Sequence, residues 1–148
     1  MIRVESILPA ARDKLVLIAD DRQLTEAASL LASVNRHMVV VCDGSGRMVG
    51  VVTRTDIVRQ IQHCEGCACT TKCIAVMSTP VVACQPGDWL PDVWATMKQK
   101  GLQNIPVVDA EARPLGLLSA RDALERLLLE AEHEEELLKD YVMCVGYR

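Results

Sequence analysis

Gly50-Val51-Val52-Thr53-Arg54-Thr55-Asp56 returns later in the chain as Gly116-Leu117-Leu118-Ser119-Ala120-Arg121-Asp122. The same ungapped shift of 66 residues sets Val16 on Val82, Leu24 on Leu90, Val41 on Val107, Asp43 on Asp109 and Arg47 on Arg113. Self-similarity on this scale marks one supersecondary unit copied whole. Within each copy, Leu24, Ala27, Ala28 and Leu31 keep the i, i+3, i+4, i+7 spacing of an amphipathic helix, and Leu90, Val93, Trp94 and Met97 repeat it. Asp21 and Asp88 stand near the two helix starts as candidate N-caps. Apolar runs then flank a polar turn: Met38 to Cys42 and Met48 to Val52 around Asp43-Gly44-Ser45-Gly46, Ile105 to Val108 and Leu115 to Leu118 around Asp109-Ala110-Glu111-Ala112. These read as strand, hairpin, strand, with a second helix after Thr53 and after Ser119.

The expected fold class is α/β (α+β): two pseudo-twofold-related β-α-β-β-α motifs packed sheet to sheet, with an extended C-terminal helix. The expected divisions are a first motif over 1–62, a Cys-rich linker over 63–73, a second motif over 74–128, and an acidic helix and tail over 129–148. Neither copy has the apolar surface to stand alone comfortably, so the two should share a core.

Half of the 148 residues are hydrophobic, yet Phe is absent and the aromatics are Trp89, Trp94, Tyr141 and Tyr147, so the interior is aliphatic. The formal charge of −4, with no Lys/Arg cluster, gives little to the counterion release that drives nucleic-acid binding, and a DNA or RNA partner is not expected. No apolar run reaches the length of a membrane span and the start lacks a signal-like segment, so the expectation is a cytoplasmic protein with no membrane partner. The histidines His37, His63 and His133 are scattered, and neither a P-loop nor a G-x-S-x-G motif is present, so no enzyme is expected.

The repeated Thr/Ser-x-x-Asp has two compatible readings. A Thr or Ser at the N-cap with an acid three residues later forms a capping box, worth about 1 kcal/mol to each helix. The same strand-to-helix turn offers backbone N–H groups and a favourable dipole to a phosphate, and its carboxylate can accept from ribose hydroxyls. Arg54 and Arg121 sit in the first helical turn, where a cation opposes the dipole, a misfit that an anion would relieve.

The duplicated pattern, with Met77-Ser78-Thr79-Pro80-Val81-Val82, Ile105-Pro106-Val107-Val108-Asp109 and Gly116 to Asp122, resembles a tandem cystathionine-β-synthase (CBS) domain pair over roughly Val4 to Leu128. The resemblance implies a head-to-tail disc that holds adenosine-type ligands in two clefts between the motifs. It implies that Asp56 and Asp122 bind ribose hydroxyls, that Thr53 and Ser119 contact ribose or phosphate, and that Arg54 and Arg121 reach phosphates. Val81, Val82 and Ile105 would wall the Asp56 site; Val16, Leu17 and Val39 would wall the Asp122 site. His37 occupies a position where similar proteins place a basic phosphate contact, whereas its counterpart is Gln103, followed by Asn104. That difference implies more phosphate charge at the Asp56 site; the plainer reading of His37 is a solvated or capping residue. The first copy departs from the pattern, with Ile7-Leu8-Pro9-Ala10-Ala11-Arg12-Asp13 where the second has Met-Ser-Thr-Pro. Similar proteins take AMP, ADP, ATP, S-adenosylmethionine or nicotinamide dinucleotides (NAD), associate as homodimers and act on a separate regulated protein.

Between the copies lies His63-Cys64-Glu65-Gly66-Cys67-Ala68-Cys69-Thr70-Thr71-Lys72-Cys73. Four of the seven cysteines, Cys64, Cys67, Cys69 and Cys73, fall here, with C-x2-C spacing that suits zinc or an iron–sulfur cluster, although Cys67-x-Cys69 is close for one tetrahedron. A redox pair and an inert linker are the competing readings. After Asp122, Leu124, Leu127, Leu128, Ala131 and Leu138 extend a helix whose outer side carries Glu130, Glu132, Glu134, Glu135 and Glu136. It reads as an acidic helix packed on the disc, with Leu137 to Met143 as an alternative dimerisation arm. Three functions follow: a nucleotide-responsive regulatory module that relays occupancy to a partner, a metal or redox sensor acting through the cysteines, or a ligand-free structural dimer.

Overall fold

The structure is a computed structural model that describes residues 2–34, 36–63 and 71–146. After a 3-10 turn, Val4–Ile7, the elements are α1 (Leu8–Asp13), β1 (Leu17–Ala19), α2 (Leu24–Val34), β2 (Met38–Cys42), β3 (Met48–Thr53), α3 (Arg54–His63), α4 (Cys73–Val76), α5 (Leu90–Lys100), β4 (Asn104–Val108), β5 (Pro114–Ser119) and α6 (Ala120–Gly146). Each of α2, β2 and β3 maps onto α5, β4 and β5 by the shift of 66. In the first motif, β1 pairs parallel with β2, which pairs antiparallel with β3. The second motif keeps the antiparallel pair β4–β5, but its first strand is reduced to a single parallel bridge, Cys84 to Val107. That bridge is the counterpart of Ile18 to Val41 in the first motif.

The hairpins are set by their first aspartate. Asp43 accepts from the Ser45 and Arg47 backbone N–H groups at 2.9 and 3.1 Å, and Asp109 does the same for Glu111 and Arg113 at 2.9 Å each. These Asx-type bonds replace ladder bonds at the turn. The tight turn needs a left-handed residue, supplied by Gly46 (φ 85°) in one copy and by Ala112 (φ 63°) in the other, where Cβ costs roughly 1 kcal/mol. Asp88, in contrast, does not cap α5. Trp89 is the N-cap residue, and the Asp88 carboxylate accepts the Gln85 N–H at 2.9 Å in the turn before it.

Strand alternation divides the interior into three clusters. Val39 and Val41 face α2 with Ile18, Leu24, Ala27, Leu31 and Val52. Ile105 and Val107 face α5 with Leu90, Val93, Met97 and Leu118. The opposite parity, Val40 with Val51 and Leu117, fills the space between the two sheets.

The helical covers are exchanged between motifs. Val4, Ile7 and Ala11, which precede β1, are buried in the core around β4 and β5, and Cys73, which opens α4 ahead of α5, is buried in the core around β2 and β3. Backbone bonds fix both: Val4 N–H to Asp88 O (2.9 Å) and Leu90 N–H to Ile2 O (2.8 Å) on one side, Cys73 N–H to Arg22 O (2.9 Å) and Leu24 N–H to Thr71 O (2.7 Å) on the other. The packed acidic helix foreseen for the tail stops short, because Ala131 to Asp140 are all exposed. No helix among the described residues is long and apolar enough to cross a membrane.

Two glycines let the exchanged covers approach. A Cβ at Gly116 would fall 2.9 Å from the carbonyl carbon and Cβ of Ala11, whereas one at Gly50 would meet the flexible Met77 side chain at 2.6 Å. Backbone cannot swing aside as a thioether can. Gly116→Ala is therefore expected to destabilise the protein by about 1–3 kcal/mol, and Gly50→Ala by clearly less, as read by urea denaturation.

Candidate functional site

Each Thr/Ser-x-x-Asp turn joins the last strand of its motif to the next helix, β3 to α3 and β5 to α6. In the first, the capping box is reciprocal: Thr53 N–H donates to Asp56 Oδ2 at 2.9 Å and Asp56 N–H donates to Thr53 Oγ1 at 3.2 Å. Ser78, from the cover exchanged onto this motif, adds a hydroxyl at 3.1 and 3.2 Å from the two carboxylate oxygens. Arg59 reaches Oδ1 at 3.8 Å, and Asp56 is left only 6 % exposed. In the second turn, Asp122 N–H donates to Ser119 Oγ at 3.1 Å, and the Asp122 carboxylate takes the ammonium of Lys14. Lys14 also approaches Ser119 Oγ at 3.4 Å.

Two open clefts adjoin these turns. One, about 370 Å³, is lined by Lys14, Arg36, His37, Gln103, Asn104, Leu117, Ser119, Ala120 and Arg121. Its neighbour, about 360 Å³, is lined by His37, Met38, Thr53, Arg54, Thr55, Gly101, Leu102, Gln103 and Asn104. Both volumes fall within the range of small-molecule sites. His37, Gln103 and Asn104 belong to both walls, so each cleft is built from both motifs. Arg54 is held on the first motif's loop, where its Nε donates to Arg36 O at 3.0 Å, and Arg121 pairs with Glu125 at 3.4 Å.

The structure thus brings together His37, Thr53, Arg54, Asn104, Ser119 and Arg121 from the sequence reading, with Asp56 and Asp122 directly behind the walls. Of the six apolar residues nominated as cleft walls, none lines either cleft. Val39 and Ile105 are buried against the helices, Val16 and Val82 pack on the motif cores, Val81 lies between the sheets, and Leu17 is half exposed. The cause is parity: one residue along a strand reverses the face, and the cleft-facing positions are Met38 and Asn104. The extra positive charge also lies on the other side from that implied by His37 alone. His37 serves both clefts, while Lys14 and Arg36, unremarked in the sequence, stand at the Ser119 cleft beside Arg121. No local motif announces Lys14, which meets Asp122 across 108 residues of chain.

Cys64, Cys67 and Cys69 lie outside the described residues. Cys73 is the first residue of α4 and packs in the first motif's core, where burial raises its thiol pKa. No His/Cys/Asp/Glu group able to hold a metal ion occurs among the described residues.

The CBS domain family model matches residues 4–63 and 73–129. The chain belongs to the CBS-domain family. The fold agrees with a CBS-domain containing protein from Agrobacterium tumefaciens, 25 % identical over 84 % of this chain and 98 % of that one, with a TM-score of 0.73. It also agrees with the CBS domain pair of protein MJ0100, solved in complex with 5′-methylthioadenosine and S-adenosyl-L-methionine (20 % identity, 88 % and 98 % covered, TM-score 0.72). A third likeness is CBSX2, solved in complex with AMP (18 % identity, 88 % and 99 % covered, TM-score 0.75). The two matches, one to each half of the repeat, make this chain a CBS domain pair.

Cys84, buried between the β4 edge and α5, has its thiol pushed up to about 12, chiefly by desolvation and secondarily by the charge of Asp88. At pH 8 about one thiol in ten thousand is ionised, so Cys84 is expected to resist iodoacetamide in the folded protein and react on unfolding, as followed by mass spectrometry. Folding raises this pKa above its ordinary 9.0. The native chain therefore keeps a proton that the unfolded chain loses, and the stability Cys84 contributes, full below pH 9, declines as pH rises from 9 towards 12.

Proposed function

We propose that this CBS pair binds an adenosine-containing ligand between its motifs and relays occupancy to a partner protein. The observation that carries the reading is that both Thr/Ser-x-x-Asp turns open, at the N-termini of α3 and α6, onto clefts that the two motifs wall jointly. The dipole at a helix N-terminus favours phosphate, and a nearby carboxylate suits a ribose diol. AMP, 5′-methylthioadenosine and S-adenosylmethionine in proteins of the same fold support the ligand class.

The relay runs through the helices that start at the turns. α3 exposes Val58 and Ile61, and α6 exposes Leu124 and Leu128, with Val58 and Leu124 at equivalent positions of the repeat. A ligand that reorients a helix N-terminus moves that apolar surface, against which a second copy of the chain or the regulated protein docks. The ligand shifts the equilibrium by as much as it prefers one arrangement.

A thermal-shift panel of AMP, ATP, S-adenosylmethionine and 5′-methylthioadenosine tests the reading. A ligand at a hundredfold excess over its Kd adds about 2.7 kcal/mol to apparent stability, a rise of roughly 5–10 °C for a chain of this size. If no compound in the panel moves the midpoint, the reading is wrong.

A further inference from the structure

We infer that the two clefts have diverged: only the Ser119 cleft binds ligand, it selects a phosphorylated adenine nucleotide, and Lys14 is the residue that switches from protein to phosphate on binding. The inference rests on the adenosine-ligand reading above and sharpens it.

The two carboxylates differ in what they have left to offer. Asp56 is 6 % exposed, and its oxygens already accept the Thr53 N–H and the Ser78 hydroxyl, with Arg59 alongside. A ribose diol would have to break the reciprocal capping box and strand a buried N–H, which costs about as much as the new bonds return. This is a finished structural contact. Asp122 keeps its side chain 22 % exposed, and its carboxylate pairs with Lys14, itself 29 % exposed and part of the cleft wall. A lysine stem can swing by rotation about single bonds, with no backbone group left unpaired.

The charges point the same way. Lys14, Arg36 and Arg121 line the Ser119 cleft in addition to His37, whereas the Thr53 cleft has Arg54 and the same His37. When ribose hydroxyls take over the Asp122 oxygens, the Lys14 ammonium loses its counter-ion beside the α6 N-terminus, where an anion is favoured. A phosphate supplies that anion and completes the exchange. Adenosine and 5′-methylthioadenosine supply none, and the one anion of S-adenosylmethionine, its carboxylate, lies beyond a cationic sulfonium with an ammonium beside it, so these three are poorer ligands than AMP, ADP or ATP. At the Asp56 turn the visiting residue is the Ser78 hydroxyl, and the nearby cation, Arg59, is not part of the cleft wall, so the first cleft has no such exchange to make.

Isothermal titration of the full chain with AMP and with adenosine, repeated on Asp122→Asn, Asp56→Asn and Lys14→Met, decides the matter. The expected stoichiometry for AMP is one per chain. Asp122→Asn should weaken AMP by about tenfold or more, the scale of a lost charge-assisted bond. Asp56→Asn should lower the unfolding midpoint and leave AMP affinity within about twofold, well inside one tenfold step. Should Asp56→Asn fail to fold, Ser78→Ala reads the same cleft and should likewise leave AMP affinity unchanged. Lys14→Met should erase most of the preference for AMP over adenosine, leaving adenosine binding equal or tighter because Asp122 is freed. Two AMP per chain, loss of binding in the Asp56 or Ser78 variant, or an unchanged AMP-to-adenosine ratio in Lys14→Met overturns this inference while the nucleotide reading stands. Absence of binding by any adenosine compound overturns both.

Discussion

The contact on which the rest of the molecule depends is the passage of each motif's cover onto the other motif. The leading residues of the first motif complete the core of the second through Val4, Ile7 and Ala11, and the segment that leads into the second completes the core of the first through Cys73. Neither motif can therefore bury its apolar face alone, and the chain gains its stability as a pair. The close approaches at Gly116–Ala11 and Gly50–Met77 mark where the exchanged covers bear on the central strands.

The same exchange decides what each cleft contains. The segment following each cover passes the turn of the motif it has covered, so Lys14 meets Asp122 and Ser78 meets Asp56. The duplicated turns are alike in sequence and differ in chemistry because the visiting residue differs: an ammonium in one place, a hydroxyl in the other. A repeat can in this way keep its fold in both copies while one copy serves binding and the other holds the structure. His37, Gln103 and Asn104 join the clefts at their shared wall, which is where a change in one would reach the other motif.

The architecture was legible in the sequence to an unusual depth. The shift of 66 residues sets the bounds of α2, β2 and β3 against those of α5, β4 and β5 without a gap, because hydrophobic period and turn chemistry agree at every element. The turns at Thr53 and Ser119 were legible for the same reason. Three features were not. The face of Val39 and Ile105 depends on strand parity, which a fully apolar run such as Met38 to Cys42 leaves undetermined. Lys14 and Arg36 reach the Ser119 cleft through tertiary exchange, which leaves no local pattern. The reduction of the second motif's first strand to the Cys84 bridge is also unannounced, since Val82-Ala83-Cys84 is still an apolar run in the place of Val16-Leu17-Ile18.

A crystal structure of the chain grown with AMP tests the central claim most directly. The account predicts one nucleotide, in the Ser119 cleft, with its ribose hydroxyls on Asp122, Lys14 turned to the phosphate, and the Asp56 bonds to Thr53 and Ser78 intact. Nucleotide on Asp56, or Lys14 still paired with Asp122 beneath a bound ligand, would contradict it.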